Sequence, residues 1–546
     1  MSTVRRLLPP IFALVGFAIP LCATAQGVRT PGSAPVGFDV AEWSTGAWSP
    51  FTAIADMPRT PLRAPAAPSL LTAPAPGVGL AWTGGDPSGL PTDVRAAWGS
   101  AAASGAGESG GYRRPLDAAQ SRVVQGQLTG WQRLGTRGAA VGRIVVDQEG
   151  RDPSSPSHVI SPYSTSPFVL LDSSETSMRL QRARLEGAGG WAVGEWALGI
   201  GVGIESRDTR SERTRVPRIA RAAAPAVSAG VSRGLPWGGV RLAAFARWMG
   251  EAETSQIIPR TGTGTAYLVA GYTEPDRMQL TPNSFIERRQ DRSAAAVGGG
   301  ATGSLFGATW AVAAEATRRN EEYSSQRRDD PPSDRWEASG SRAVAGVQRR
   351  VIGERLLVTA RGEFVSLEGE GRRADLTGIV FRAAESMWQA DAEVRWQPVG
   401  SAWSAAASGT VRREERTRQD FVARRETVID ALAPGVSVEV ARRVARRVDL
   451  SASLGIAQYE PTSRIPNASA EGPVYRAYVG PSIAYDASAA TAQRGALTAR
   501  YMIPQGGALW VSGRQERASV GSGMTTVRRP VGSREGWVVV VGVTRG

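Results

Sequence analysis

The chain has 546 residues, 42% of them hydrophobic, with a mean hydropathy of −0.20 and a formal charge of +14 at pH 7. Its 64 basic residues are all arginine, and it carries one cysteine, Cys22, and one histidine, His158, too few for a disulfide framework, a zinc site or a histidine-based acid–base pair. Beyond residue 25 no run approaches the 18 or so apolar residues of a transmembrane helix, which excludes a helical membrane protein and leaves a strand-built one open.

Residues 1–25 read as a secretory signal. Arg5 and Arg6 precede a mostly apolar run from Leu7 to Leu21, and Ala23-Thr24-Ala25 before Gln26 is a small-residue cleavage site. Leu21 is too large to precede a lipidated Cys22, so ordinary cleavage is expected and the mature chain would hold no cysteine. Residues 26–121 are rich in Pro, Ala, Gly and Ser, as in "RAPAAPSLLTAPAPG" and "WGSAAASGAGESGG". That composition buries too little apolar surface to offset ordering entropy. An irregular segment is expected there, either a tail or a plug for a lumen.

From about residue 122 the texture changes to period two. Trp196, Leu198, Ile200, Val202 and Ile204 alternate with glycines. Leu242, Ala244, Ala246 and Trp248 oppose Arg241 and Arg247. Trp310, Val312, Ala314 and Ala316 oppose Glu315. Leu356, Val358, Ala360 and Phe364 oppose Arg361 and Glu363. Ala390, Ala392, Val394 and Trp396 oppose Asp391, Glu393 and Arg395. Val448, Leu450, Ala452, Leu454 and Ile456 oppose Asp449 and small residues. Strict alternation predicts strands, and antiparallel ones, because parallel strands are buried on both faces. Short turns at 192–195, 236–239, 306–307, 352–354 and 399–401 alternate with longer polar connections at 205–217, 255–291, 324–338, 368–375, 416–425 and 459–472. This predicts an up-and-down meander of about sixteen strands, within a range of about 14–18, over residues 122–546.

So large an open sheet would leave two long edges, and closure removes both. Alanine dominates the apolar parity and large aliphatics are scarce, which suits a surface facing lipid better than a tightly packed core. Trp191, Trp196, Trp237, Trp248, Trp310, Trp396, Trp403 and Trp537 recur near strand ends, as an aromatic girdle would. On these residues the chain resembles a Gram-negative outer-membrane β-barrel of the porin-like type. The resemblance implies an all-β fold, an up-and-down antiparallel transmembrane barrel in the cell outer membrane, reached through a cleaved signal. It also implies contact with the barrel assembly machinery. The last strand, "EGWVVVVGVTRG", has the right alternation but ends in Thr544-Arg545-Gly546, without the terminal aromatic residue usual in such barrels.

The parity opposite the apolar one is where function is expected. Arg241, Arg247, Glu315, Arg361, Glu363, Asp391, Glu393, Arg395, Glu439 and Asp449 are the candidate lumen-facing residues, either a self-neutralising wall or a field that orients small solutes and favours anions. The segment 255–291 is either an inward constriction or an extra hairpin outside. The expected activity is passive diffusion of small hydrophilic solutes, with no enzyme chemistry, metal or cofactor. His158 lies in a Pro/Ser-rich loop, and "TGTGT" at 261–265 lacks the lysine of a phosphate loop. Arginine-rich loops could meet outer-membrane lipid and lipopolysaccharide phosphates. Nucleic acid is not an expected partner, given the signal and the interleaved acids. The alternatives are a non-conducting scaffold or adhesin and a soluble secreted β-rich protein. A plugged transporter fits less well, since residues 26–121 lack the look of a folded plug.

Overall fold

The structure, a computed structural model, describes residues 98–545 apart from the connecting segments 112–118, 155–167, 173–175, 213–217, 237–239, 258–263, 271–275, 281–285, 326–333, 352–354, 397, 399, 465–474, 504–506 and 521–531. The signal segment, residues 26–97, His158 and Trp237 therefore lie outside the described residues.

The wall is built from β1 (Trp98–Gly110), β2 (Gln120–Leu134), β3 (Gly138–Ser154), β5 (Thr176–Val193), β6 (Trp196–Glu212), β7 (Arg218–Gly234) and β8 (Arg241–Ile257). It continues with β11 (Ile286–Leu305), β12 (Ala308–Ser325), β13 (Asp334–Val351), β14 (Leu356–Arg372), β15 (Phe381–Trp396) and β16 (Trp403–Asp420). It ends with β17 (Arg425–Ala445), β18 (Val448–Arg464), β19 (Ala490–Ile503), β20 (Gly507–Val520) and β21 (Ser533–Arg545). Three short strands, β4 (Phe168–Asp172), β9 (Gly264–Ala270) and β10 (Asp276–Leu280), form a separate sheet in the order β10-β9-β4. The remaining element is α1 (Gly480–Asp486), continuing a π-turn at Tyr475–Val479.

Each wall strand pairs antiparallel with its neighbours, and β21 pairs with β1 from Gly99↔Arg545 to Gly110↔Arg534, so the 18-stranded sheet closes on itself. Eighteen strands stand at the upper end of the expected range, above the expected sixteen. One extra strand is β1, which lies inside the stretch assigned by composition to the irregular segment, so the barrel begins at Trp98 and not at 122. Its outward residues are Gly99, Ala101, Ala103, Gly105 and Gly107, too small to show alternation. Trp537 of the partner strand covers two of them, Gly105 and Gly107. A Cβ on Gly107 would lie 2.7 Å from the Trp537 ring, which therefore rests across β1.

The apolar parity faces outward. Leu450, Leu454 and Ile456 are 43, 68 and 43% exposed, as are their counterparts Leu198, Ile200, Val202 and Leu242 at comparable levels. The other parity points into the enclosed space, where Asp449 accepts from Arg443 at 3.1 Å. Trp191, Trp196, Trp310, Trp396 and Trp403 sit outward near the short turns, and Trp248, Trp388 and Trp537 farther up the wall. At the lower rim Arg233 lies 5.1 Å over Trp196 and Arg442 lies 4.7 Å over Trp403, a cation–π pairing suited to an apolar–aqueous boundary. Phe306 (φ 50°) and Gly307 (φ 74°) close the β11–β12 hairpin, both in the left-handed region that a two-residue turn between twisted strands requires.

The strands run past the expected turns. β6, β8, β12, β14, β16 and β18 continue to residues 212, 257, 325, 372, 420 and 464, into stretches read as loops. There the outward parity is polar too, as with the Arg210–Asp208 pair at 2.8 Å, and charge begins just short of the 416–425 stretch with Arg413–Asp430 at 2.8 Å. Once the outer face meets water, alternation vanishes although pairing continues. Strands of 13–21 residues exceed the 9–11 that hydrocarbon needs, so the wall projects beyond the apolar band at the long-loop end. The expected loop 416–425 reduces to a turn at 421–424.

The orientation predicts an asymmetric response. Leu454→Arg should destabilise the lipid-folded barrel by about 2–4 kcal/mol, as charges do near a bilayer midplane. Ser453→Arg, one residue away on the inward parity, should leave the urea midpoint almost unchanged.

Candidate functional site: the charged lumen wall and its mouth

All ten candidate residues lie on the inward parity of their strands, by register. Arg361, Glu363, Asp391, Glu393, Arg395 and Glu439 form one contiguous patch on β14–β17. Within it Glu363 pairs with Arg361 at 2.8 Å, Asp391 accepts from Gln389 at 2.9 Å, and Arg395 reaches Glu393 at 3.1 Å and Glu439 at 3.9 Å. Arg247 and Glu315 pair with each other across β8, β11 and β12. Arg241, which donates to Ser232 Oγ at 3.0 Å, and Asp449 stand apart near the short-turn end.

Higher on the wall lies a denser network, two of whose members, Arg207 and Gln290, fall in stretches expected to be loops. Glu251 is held between Arg207, at 2.7 Å, and Arg292. Arg292 also lies 3.6 Å from Glu253 and 3.7 Å from Glu321, and Glu321 accepts from Arg319, from Tyr323 and from Gln290 at 3.0 Å. Glu251, Glu321 and Arg292 are buried. Charges so far from water persist only when paired, and each of these acids has at least one guanidinium beside it. One carboxylate between two guanidiniums recurs. Glu363 accepts from Arg342 and Arg361, each at 2.8 Å, Glu414 from Arg412 and Arg416, and Glu516 from Arg494 at 3.4 Å and from Arg514. At Glu516 this leaves an excess of positive charge on the wall, whereas the patch around Glu363 holds more acids than arginines.

Two inserts narrow the long-loop end. β4, from the β3–β5 connection, carries Phe168 to the inner face of distant strands, 5.2 Å from the Tyr323 ring. Phe168 is buried there with Trp336, Val365, Leu367 and Phe381. Arg288 lies 4.6 Å over the Tyr323 ring. The β9–β10 hairpin pairs with β4, so the segment 255–291 makes an additional hairpin whose sheet reaches the mouth through Phe168. On the other side α1 packs inward. Tyr459 Oη donates to the Asp486 carbonyl at 3.0 Å, Arg416 lies 3.6 Å from the Asp486 carboxylate, and Tyr485 packs with Tyr459 and Ala431.

Among the described residues no cluster of His, Cys, Asp and Glu could hold a metal, and no helix is long and apolar enough to cross a membrane. A closed antiparallel barrel, apolar outside and charged within, defines a transmembrane β-barrel. The chain belongs to the family described as "Family of unknown function (DUF6850)", which it matches over residues 87–535. No curated protein sequence matches it. Among solved structures it is similar to the ferric citrate transporter FecA in its unliganded form, at 9% identity over 82% of this chain and 79% of that one, with a TM-score of 0.43. It is similar also to BauA, the ferric preacinetobactin receptor from Acinetobacter baumannii (7% identity, 82% and 80% covered, TM-score 0.37). A third is a FadL homologue of Pseudomonas aeruginosa (11% identity, 84% and 92% covered, TM-score 0.29).

Glu251→Gln should cost about 3–5 kcal/mol, because Arg207 and Arg292 would remain buried around a neutral group. The measurement is the temperature at which the folded band converts to the unfolded one on a semi-native gel. Glu439→Gln, in the open part of the wall, should not move it.

Proposed function

We propose that this chain is an outer-membrane transport barrel through which small hydrophilic solutes diffuse passively, with a preference for anions. One observation carries the reading: the same strands that offer hydrocarbon an unbroken apolar surface line the enclosed space with paired charges. Such a wall suits water-filled passage. The Glu516 carboxylate, shared between Arg494 and Arg514, supports the anion preference. The secretory signal and the assembly machinery it leads to belong to the same reading. So do contacts between lipopolysaccharide phosphates and outward arginines above the apolar band, such as Arg413. No cofactor or catalytic residue enters it.

A second reading, a non-conducting surface scaffold, draws support from the mouth, where Phe168 and α1 occupy space that a wide pore would leave open. The refolded full chain in a planar bilayer separates the two. Discrete conductance steps with a reversal potential favouring chloride are expected, shifting toward cations in Arg361→Gln and Arg494→Gln. Phe168→Ala should raise the unit conductance by loosening β4. Silence from both wild type and Phe168→Ala would leave the scaffold.

A further inference from the structure

Two prolines stand at mid-strand on the outward parity, Pro225 in β7 and Pro434 in β17. Proline has no N–H to give the ladder. The β7–β8 pairing passes from Ala223↔Ala252 to Ala226↔Met249, and the β17–β18 pairing from Leu432↔Glu460 to Gly435↔Ala457. Each seam thus lacks two successive pairs, with the register kept. Both are braced from inside by a link that passes over the proline-bearing strand. Arg207 of β6 bonds Glu251 of β8 at 2.7 Å, and Asp486 of α1 joins Arg416 of β16, at 3.6 Å, to Tyr459 of β18, at 3.0 Å.

Outside, the two seams differ. Opposite Pro225, a Cβ on Gly250 would fall 2.7 Å from the Trp248 ring, so the indole lies over that seam and seals it. Pro434 has no such cover. It lies in an outward groove of about 1020 Å³, lined there by Gly409, Val411, Pro434, Val436, Ile456 and Gln458. The groove runs on across β15, β14 and β13 to Val312 of β12, over mostly small residues and Val347, between Trp388 above and Trp396 and Trp403 below. Its volume is that of a ligand-holding cleft, at the top of the usual range of about 300–1,000 Å³. Its outward-facing lining is apolar apart from Gln458, so the matter that fills it in a bilayer is hydrocarbon.

We propose that the β17–β18 seam at Pro434 is a lateral acyl-chain site, where the chain of a single-chain amphiphile lies in the outer groove and the wall parts to pass it between lumen and bilayer. The proposal rests on the transmembrane orientation and not on passage of hydrophilic solutes. Backbone bonds must all be satisfied within hydrocarbon, and Pro434 takes one N–H donor from this ladder, so the seam is held by fewer bonds there than above and below. The seam's contacts with α1 on the inside place its opening under the control of that insert.

Directly opposite residues on antiparallel strands have Cα separations that a disulfide can bridge. In a full chain with Cys22→Ser, the pair P434C/Q458C locks this seam, and P225C/G250C locks the other. The readouts are transfer of NBD-labelled dodecanoate into vesicles and KCl conductance of the same preparations. The expected result is loss of dodecanoate transfer in oxidised P434C/Q458C, its return on reduction, and unchanged conductance throughout. P225C/G250C should transfer normally. Pro434→Thr, which restores an N–H without a cross-link, should slow transfer and covers the case in which the cysteine pair does not fold. Unaltered transfer in the oxidised protein, or parallel loss of transfer and conductance, overturns the proposal. So does a covalent dimer formed through Gln458→Cys alone, which would give the groove to a second copy. Absent conductance with intact, lockable dodecanoate transfer would refute the hydrophilic channel and leave this site standing.

Discussion

Closure of the sheet is the constraint on which everything else depends. In hydrocarbon an unpaired backbone group has no water to turn to, so a spanning sheet must have no edge. Here the last strand meets the first over almost its whole length. That seam joins a valine-rich strand to one made mainly of alanine, glycine and serine. The mismatch is resolved by Trp537, whose ring lies across Gly105 and Gly107. A larger side chain at Gly107 would displace the ring and with it the contact between the two ends of the chain.

Given closure, the rest of the architecture follows from what each face meets. The outer face meets lipid over only part of its height, and there it is apolar. Above that level it meets water and becomes charged without any change in the strands. The inner face must satisfy many arginines without lysine to share the task. Planar guanidiniums can serve one carboxylate in pairs, and the wall uses that device at Glu251, Glu363, Glu414 and Glu516. The upper network is balanced and buried, so it acts as structure. The patch on β14–β17 and the Arg494–Glu516–Arg514 trio are better placed to act on a solute.

The mouth shows how long-range placement adds function to a regular wall. β4 leaves the barrel between β3 and β5 and delivers Phe168 to Tyr323 on β12, across several intervening strands. α1 enters from the β18–β19 connection and ties β16 to β18. Both inserts bind inward-facing residues that would otherwise line open water. The α1 link also braces the place where Pro434 interrupts the ladder, so on that side mouth and wall are mechanically joined.

The residue pattern by itself determined the strand class, the antiparallel meander and which parity is apolar. A period of two with one greasy face is written directly in segments such as Val448–Ile456 and Trp196–Ile204. It also placed Arg361, Glu363, Asp391 and Arg395 on the face opposite the greasy one. It could not show β1, whose outward residues are too small to alternate visibly. Nor could it show the upper halves of β6, β8, β11 and β12, where both faces are polar and the period disappears, and so the Arg207–Glu251–Arg292–Glu321 network left no mark in the pattern. Only the tertiary structure decided the strand number, the pairing of β21 with β1, the reach of Phe168 and the partners of each charge. These depend on contacts between residues far apart in the chain, and local alternation carries no record of which distant strand a side chain will meet.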